Sequence, residues 1–367
     1  MLFRSGFGKW VTIVSFHWGK YRVNGTINDE NLIELTGTWI SNPVYGDMAY
    51  EMRYTQYKDY NGVKFPGLIH VHHGDPRINP AENYFQVTIT DVKPNLVVEK
   101  MPVPDVVRTA KLDPVKVVTQ KLADHVWLIG GGPLNSVAVE FKNFVAVVEA
   151  PQNEARSLAV IDEVHKLAPG KSIQYVVNTN HHMAHAGGLR TYFSQGTIVV
   201  THQSNRDYYV DILFSPFPRT LDPDQMATFN PMYMISRRPP SIDTVGGTTS
   251  IGKYVVSDDE RQMQVWHVQD MAYEIGESYI KVPGPSVARG NQSADMLMVY
   301  LPKEKILINA DLYVPPAPGA PPAPPSGGMR TLQLNMKKLG FDVAQHVSIV
   351  GPRVGTNEEF LKLVGGQ

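Results

Sequence analysis

The chain has 367 residues, 43% hydrophobic and 10% aromatic, a composition that supports folded cores in more than one domain and argues against disorder. Lysine plus arginine total 34 against 35 acidic residues, so the charge balance favours neither nucleic acid nor an anionic membrane and leaves a small molecule as the expected ligand. Cysteine is absent, which excludes disulfides, thiolate metal ligands and cysteine nucleophiles; any metal site has to use His, Asp, Glu or neutral donors.

Arg4 and Lys9 precede a short apolar patch, Trp10 to Phe16, that lacks a small-residue cleavage site, so the opening residues do not read as a signal peptide and the compartment stays undecided. No run of 18 apolar residues occurs, and no membrane span is expected. A homo-oligomer is neither demanded nor opposed. Up to about residue 105, short alternating segments recur at Ile33 to Trp39, Met48 to Tyr54, Leu68 to His72 and Phe85 to Ile89, with turn signals at Asn61-Gly62 and Asp75-Pro76. They predict a curved antiparallel sheet or partial barrel. Pro102, Pro104 and Pro114 mark a linker, giving an expected β-rich domain over residues 1–105 and a second domain over 106–367.

Beyond the linker, strands alternate with helices. His125 to Ile129, Ser136 to Phe141 and Phe144 to Val148 are strand-like, the last ending at Glu149-Ala150-Pro151; Leu158, Ile161, Val164 and Leu167 then recur at helical spacing over Glu154 to Leu167. Ser172 to Val177 is a strand, Leu189 to Phe193 a short helix, Thr197 to Thr201 a strand, and Asn205 to Val210 a helical turn: an α/β pattern. Strand character returns at Lys253 to Val256, Met263 to Val268, Tyr279 to Val282, Met296 to Leu301 and Ile306 to Ala310. A proline-rich stretch from Val314 to Gly328 reads as an extended loop, and Glu358 to Val364 as a closing helix.

The chemistry concentrates in Thr179-Asn180-His181-His182-Met183-Ala184-His185-Ala186-Gly187-Gly188, directly after an apolar strand. A hydrolytic zinc site needs about three protein ligands per metal and an open position for water, and a loop at a strand end supplies several ligands at once. The segment resembles the T-H-x-H-x-D-H-x-G-G motif of the metallo-β-lactamase superfamily, with Asn180 and Ala184 where the first His and the Asp would stand. The likeness covers roughly residues 120 to 367 and includes Asn178-Thr179, Gly187-Gly188-Leu189-Arg190, Thr201 to Arg206 and Tyr300 to Asp311. It implies an αββα sandwich preceded by the β-rich N-terminal domain.

In the family pattern the Asp at position 311 bridges two metals, a His stands near Gln292 or Ser293, and a last His stands at Gly351, within Gly351-Pro352-Arg353-Val354. Of seven ligand positions, the resemblance leaves His182, His185 and Asp311 as candidate metal ligands and candidate catalytic groups. Asn180, His181, Gln292 and Ser293 become candidate substrate-binding groups, joined by Tyr273 from an insertion over about Gln269 to Arg289. Each metal keeps two donors, so the expected cofactor is none or weakly bound zinc. His202, after a strand, is read as a support for the loop.

His70-Val71-His72-His73-Gly74-Asp75 imitates the motif, and His70 and His72 share a strand face where an adventitious ion could bind; a polar sheet face is the plainer reading. Gly130-Gly131-Gly132 is not followed by Lys-Ser/Thr, which rejects a P-loop, and no G-x-S-x-G elbow occurs. Three functions stay open. One is a hydrolase-like protein acting on a small ester, lactone or amide, toward which the reading leans. Another is a non-catalytic pseudoenzyme or small-molecule-binding protein. The third is metal-free elimination or isomerisation using Asn180, Gln292 and Ser293.

Overall fold

The computed structural model describes residues 2–4, 10–74, 82–97, 100–111, 114–213, 219–228, 241–246, 252–268, 295–320 and 324–365. The chain divides into two compact units. One comprises Met1–Pro114 together with Pro216–Pro223, the other Val115–Ser215 together with Asp224–Gln367.

The first unit is a seven-stranded antiparallel meander, β1 Leu2–Arg4, β2 Trp10–Trp18, β3 Tyr21–Ile27, β4 Ile33–Asn42, β5 Gly46–Tyr60, β6 Val63–Gly74 and β7 Glu82–Thr88, each strand pairing with the next. Asn61 (φ 54) and Gly62 (φ 85) both take positive φ between β5 and β6, the geometry of a two-residue hairpin whose twist matches the strands. The apolar patch over Trp10 to Phe16 is part of β2. Residues 219–223 return to this sheet. Arg219 donates to the carbonyls of Asn42, Pro43 and Val44 at 3.2, 2.8 and 3.0 Å, and Asp47 accepts from the main-chain N and the hydroxyl of Thr220 at 3.0 and 2.7 Å. A short helix, α1 Asp105–Thr109, lies within the proline-marked linker.

The second unit is a sandwich. Its first sheet runs β14-β13-β12-β11-β10-β9-β8, with β8 Val118–Ala123, β9 Val126–Gly130, β10 Ser136–Glu140 and β11 Phe144–Val148 antiparallel, and β11, β12 Ser172–Val177, β13 Ile198–His202 and β14 Ile242–Val245 parallel. Its second sheet runs β15 Lys253–Ser257, β16 Gln262–His267, β17 Leu297–Leu301, β18 Ile306–Asn309, β19 Gln345–Ser348 and β20 Val354–Thr356, with β18 and β19 parallel. Val137, Val139, Val148, Val177 and Val200 of the first sheet and Val265, Val299, Ile308 and Val347 of the second form one buried core between them. Burying such branched side chains on both inner faces stabilises the sandwich by about 1.5–3 kcal/mol for each.

Helices cover the outer faces. On the first sheet these are α2 Glu154–Leu167, α4 Leu189–Ser194 and α5 Arg206–Leu213, while the single turn α3 Met183–Ala186 lies in the loop after β12 with Ala184 against the inter-sheet core. On the second, α6 Gly327–Leu339 and α7 Asn357–Leu363 bring Leu332, Met336 and Phe360 against Met298, Tyr300 and Leu307. The αββα expectation is therefore met. The stripe that α2 buries is Arg156, Ser157, Val160, Ile161 and Val164, with Leu158 and Leu167 only partly buried, because the Asn153 cap sets the rotation of its first turn by accepting from the N of Arg156 at 3.0 Å. The proline-rich loop is shorter than its sequence suggests: Ser326 caps α6 and the helix takes in Gly327 and Gly328. The strand expected over Tyr279 to Val282 lies outside the described residues. Among those described, no helix is long and apolar enough to cross a membrane.

Candidate functional site

Parallel strands end together, so the residues following them gather at one edge of a sheet. Glu149 follows β11, Asn178 to His185 follow β12, and His202 ends β13; in the other sheet Asp311 follows β18 and Gly351 follows β19, while Asp295 precedes β17. Leu297 N donates to Thr179 O at 2.7 Å, a main-chain bond that joins the β12 loop to the second sheet.

Glu149 is fully buried and takes φ 76, a conformation that costs a non-glycine residue on the order of 1–3 kcal/mol. Its carboxylate collects four donors: Asn178 Nδ2 at 3.3 Å, Thr179 N at 3.3 Å, the Thr179 hydroxyl, and His185 Nδ1 at 2.7 Å. The other ring nitrogen of His185, Nε2, lies 3.5 Å from Asp311 Oδ2, and the same oxygen accepts from Asn180 Nδ2 at 3.1 Å. Burial alone would lower the pKa of His185. The Glu149 charge and the bond to Asp311 outweigh it and raise the value to about 10, so the ring is an imidazolium at neutral pH.

The structure thus brings Asn180, His185 and Asp311 together. Asn180 is 2% exposed and has a structural part: besides Asp311, its Oδ1 accepts from the N of His182 at 2.9 Å, fixing the turn into α3. His182 precedes α3 with an exposed side chain. Tyr273, Gln292 and Ser293 lie outside the described residues. A zinc-bound histidine must offer a ring lone pair. His185 instead faces a carboxylate with each nitrogen, and among the described residues no three His, Asp or Glu side chains converge as a ligand set. In this arrangement the residues present do not fit a zinc ion.

A second pair stands beside the first. His181 Nδ1 is 2.6 Å from Asp295 Oδ2, which also accepts from the main-chain N of His181 at 3.1 Å and from Asn205 Nδ2 at 2.7 Å. The Asp295 side chain is 6% exposed and that of His181 45%. Burial opposes ionisation of Asp295, but the bonds from His181 and Asn205 prevail and hold its pKa below the ordinary carboxylate value. Behind them, His202 stacks on His267 at 4.1 Å between ring centroids and bonds Ser204 Oγ at 2.7 Å. Burial and the neighbouring His267 push its pKa down to about 4, leaving it neutral and structural.

Glu149 and Asp295 are the groups that sequence reasoning missed. Each is an acid beside a buried apolar strand, Glu149 directly after β11 and Asp295 two residues before β17, where it is costly unless paired, and that placement is the signal that could have found them. The glycine pair has a packing reason. Gly187 (φ −60) and Gly188 (φ −101) have ordinary backbone angles, but a Cβ on Gly187 would lie 1.9 Å from Gln152 O and one on Gly188 2.0 Å from Ser157 Oγ. In the first unit, His70 and His72 stack at 6.0 Å on β6, and His72 lies 4.0 Å from Glu51, but among the described residues these side chains do not form a metal-binding group.

No family model and no curated protein matches the chain. Among solved structures it is similar to a metallo-beta-lactamase from Pontibacter korlensis, at 16% identity and TM-score 0.42, over 69% of this chain and 100% of that one. It is also similar to the mono-zinc form of the metallo-beta-lactamase FIM-1 from Pseudomonas aeruginosa, at 15% identity and TM-score 0.43, over 70% and 97% of the two chains. A metallo-beta-lactamase from Hirschia baltica matches at 12% identity and TM-score 0.42, over 67% and 94%. The architecture itself rests on this chain's strand order, its two facing sheets and its outer helices. The second unit is an αββα sandwich, the architecture that the resemblance in its sequence implies. It holds two carboxylate–histidine pairs, Glu149–His185 at the ends of β11 and β12 and His181–Asp295 between the end of β12 and the start of β17.

Proposed function

We propose that the second unit is a hydrolase-like protein acting on a small ester, lactone or amide without a metal, with proton transfer at His181. The observation that carries the reading is the His181–Asp295 pair, a half-exposed imidazole whose Nδ1 is bonded at 2.6 Å to a buried carboxylate. Donation from Nδ1 to Asp295 sets the tautomer and puts the neutral ring's lone pair on Nε2. There it takes a proton from water as the water oxygen bonds to the substrate carbonyl carbon and the carbonyl π electrons move to oxygen. As the tetrahedral species collapses, the C–O or C–N bond breaks and the leaving atom receives the proton from Nε2. Asp295 stabilises the imidazolium between these steps. His185 is not the base in this scheme, since it already holds both protons and is 5% exposed; nor does the reading give a role to the exposed His182.

The test is an ester, lactone and amide screen of the intact chain, with and without chelator. Turnover should survive chelation, and His181→Gln should lower kcat by about 10²–10⁴. Asp295→Asn should lower kcat and shift its pH profile. Turnover that needs added zinc, or that is indifferent to His181→Gln, sinks the proposal.

The second reading, a non-catalytic small-molecule-binding protein, is favoured by the way His185 and Asp311 are engaged with each other and with Asn180. Saturable binding of a lactone with no turnover in the same screen would select it.

A further inference from the structure

Arg156 is a cation buried without a carboxylate. It is 1% exposed, and its guanidinium donates only to main-chain carbonyls: Nη1 to Gly130 at 2.9 Å, and Nη2 to Ile129 at 2.9 Å and Leu134 at 3.5 Å. Its Nε has no partner among the described residues, and no acidic side chain among them forms an ion pair with it. Removing an unpaired guanidinium from water costs several kcal/mol, which carbonyl dipoles offset only in part, so the neighbourhood keeps a net positive potential.

Arg156 lies outside the lining of a neighbouring cavity but holds the main chain of one of its walls. Two of its carbonyls, Gly130 and Leu134, bound the Gly130–Leu134 turn and the third, Ile129, precedes it in β9; this turn with Gly351-Pro352 walls a cavity of about 570 Å3 lined also by Val118, Gln120, Leu128 and Asn135. Asn135 joins the two walls, its Nδ2 donating to Ser348 O at 3.2 Å and Gly351 O at 2.8 Å. None of the lining side chains is charged, so nothing in the wall cancels the buried cation. The carbonyl of Gly130 and the N–H of Gly131 are one amide, and a charged donor on the oxygen makes the N–H a stronger donor. Gly131 takes φ 97, where a Cβ would lie 2.5 Å from Lys116 O, so the main chain itself forms the wall.

The cavity adjoins the strand-end site. A Cβ on Gly132 would lie 3.0 Å from Gln152 Oε1, and Gln152 N donates at 2.8 Å to Ala184 O, the residue before His185; Gly351 packs on Val314, three residues after Asp311. We propose that this cavity is an anion-binding subsite that takes the carboxylate of a small organic acid, making the ligand of the second unit a monoanion. The inference extends the proposed reaction site but is read by binding alone.

Titration calorimetry of the intact chain with benzoate and with benzamide, its neutral isostere, is the test. Benzoate should bind at least about tenfold more tightly than benzamide and weaken as ionic strength rises. Gln120 is exposed on the edge strand β8, so its charge can be changed without disturbing the core. Gln120→Glu should weaken benzoate several-fold and Gln120→Lys strengthen it, at unchanged melting temperature. Equal or tighter binding of benzamide, no benzoate binding, or indifference to both substitutions overturns the subsite. A benzoate site in a chain that hydrolyses nothing would leave this inference standing and remove the hydrolase reading. The converse result would do the opposite.

Discussion

His185 Nδ1 stands 2.7 Å from Glu149 Oε2, and its Nε2 faces Asp311 Oδ2 at 3.5 Å, so one imidazolium joins the ends of β11, β12 and β18 across the two sheets of the second unit. A positive charge between two carboxylates is supplied here by a side chain, and the consequence is a dependence of stability on pH. The folded pKa, about 10, lies above the ordinary 6.5, so the stabilisation is complete below about pH 6.5 and is lost as pH rises through 10. Urea midpoints of the second unit should fall between these limits, reporting a loss of unfolding free energy on the order of 3–5 kcal/mol if the full shift is expressed. His185→Asn should be less stable at pH 6 and show a much flatter profile. A wild-type midpoint that does not change over this range would contradict the imidazolium.

Zinc content follows from the same geometry. Protein purified without a histidine tag should contain on the order of a tenth of a zinc per chain or less by elemental analysis, because lost donors cost affinity steeply. Two tightly held zinc ions would show that His182, His185 and Asp311 rearrange into a ligand set.

Gly187→Ala is expected to be severely destabilising, by about 3 kcal/mol or more, because the clash at 1.9 Å is with the carbonyl of Gln152 and no flexible side-chain end can move aside. Gly170→Ala serves as the control, since nothing lies within 4 Å of its added Cβ and any loss there reflects only its φ of 79. Comparison of the two melting temperatures separates close packing from turn geometry.

Arg219→Ala should lower the stability of the first unit by about 2–4 kcal/mol, since three carbonyls at 2.8–3.2 Å lose a charged donor together. Chemical denaturation followed by fluorescence can read this, with Trp10, Trp18 and Trp39 in the sheet as reporters. An unchanged transition would mean that residues 219–223 contribute little to that unit.

The sequence by itself determined which donors exist. Ala184 and Gly351 offer no side-chain donor and Asn180 only a neutral one in any conformation, because ligand chemistry is a matter of residue identity. It also determined most of the sandwich strands, since period-two and fully apolar runs such as Phe144 to Val148 and Met296 to Leu301 report burial directly. Only the tertiary structure decided the pairing of what remained. Glu149 and His185 are 36 positions apart, and His181 and Asp295 are 114 apart. Their protonation depends on which carboxylate faces which ring nitrogen. That is set by the ends of parallel strands and by the bond between Thr179 and Leu297, and no local pattern encodes it. The same holds for Arg156, which a helical wheel places as one more polar residue near an N-terminus. The packed unit makes it a buried cation beneath a loop of glycines.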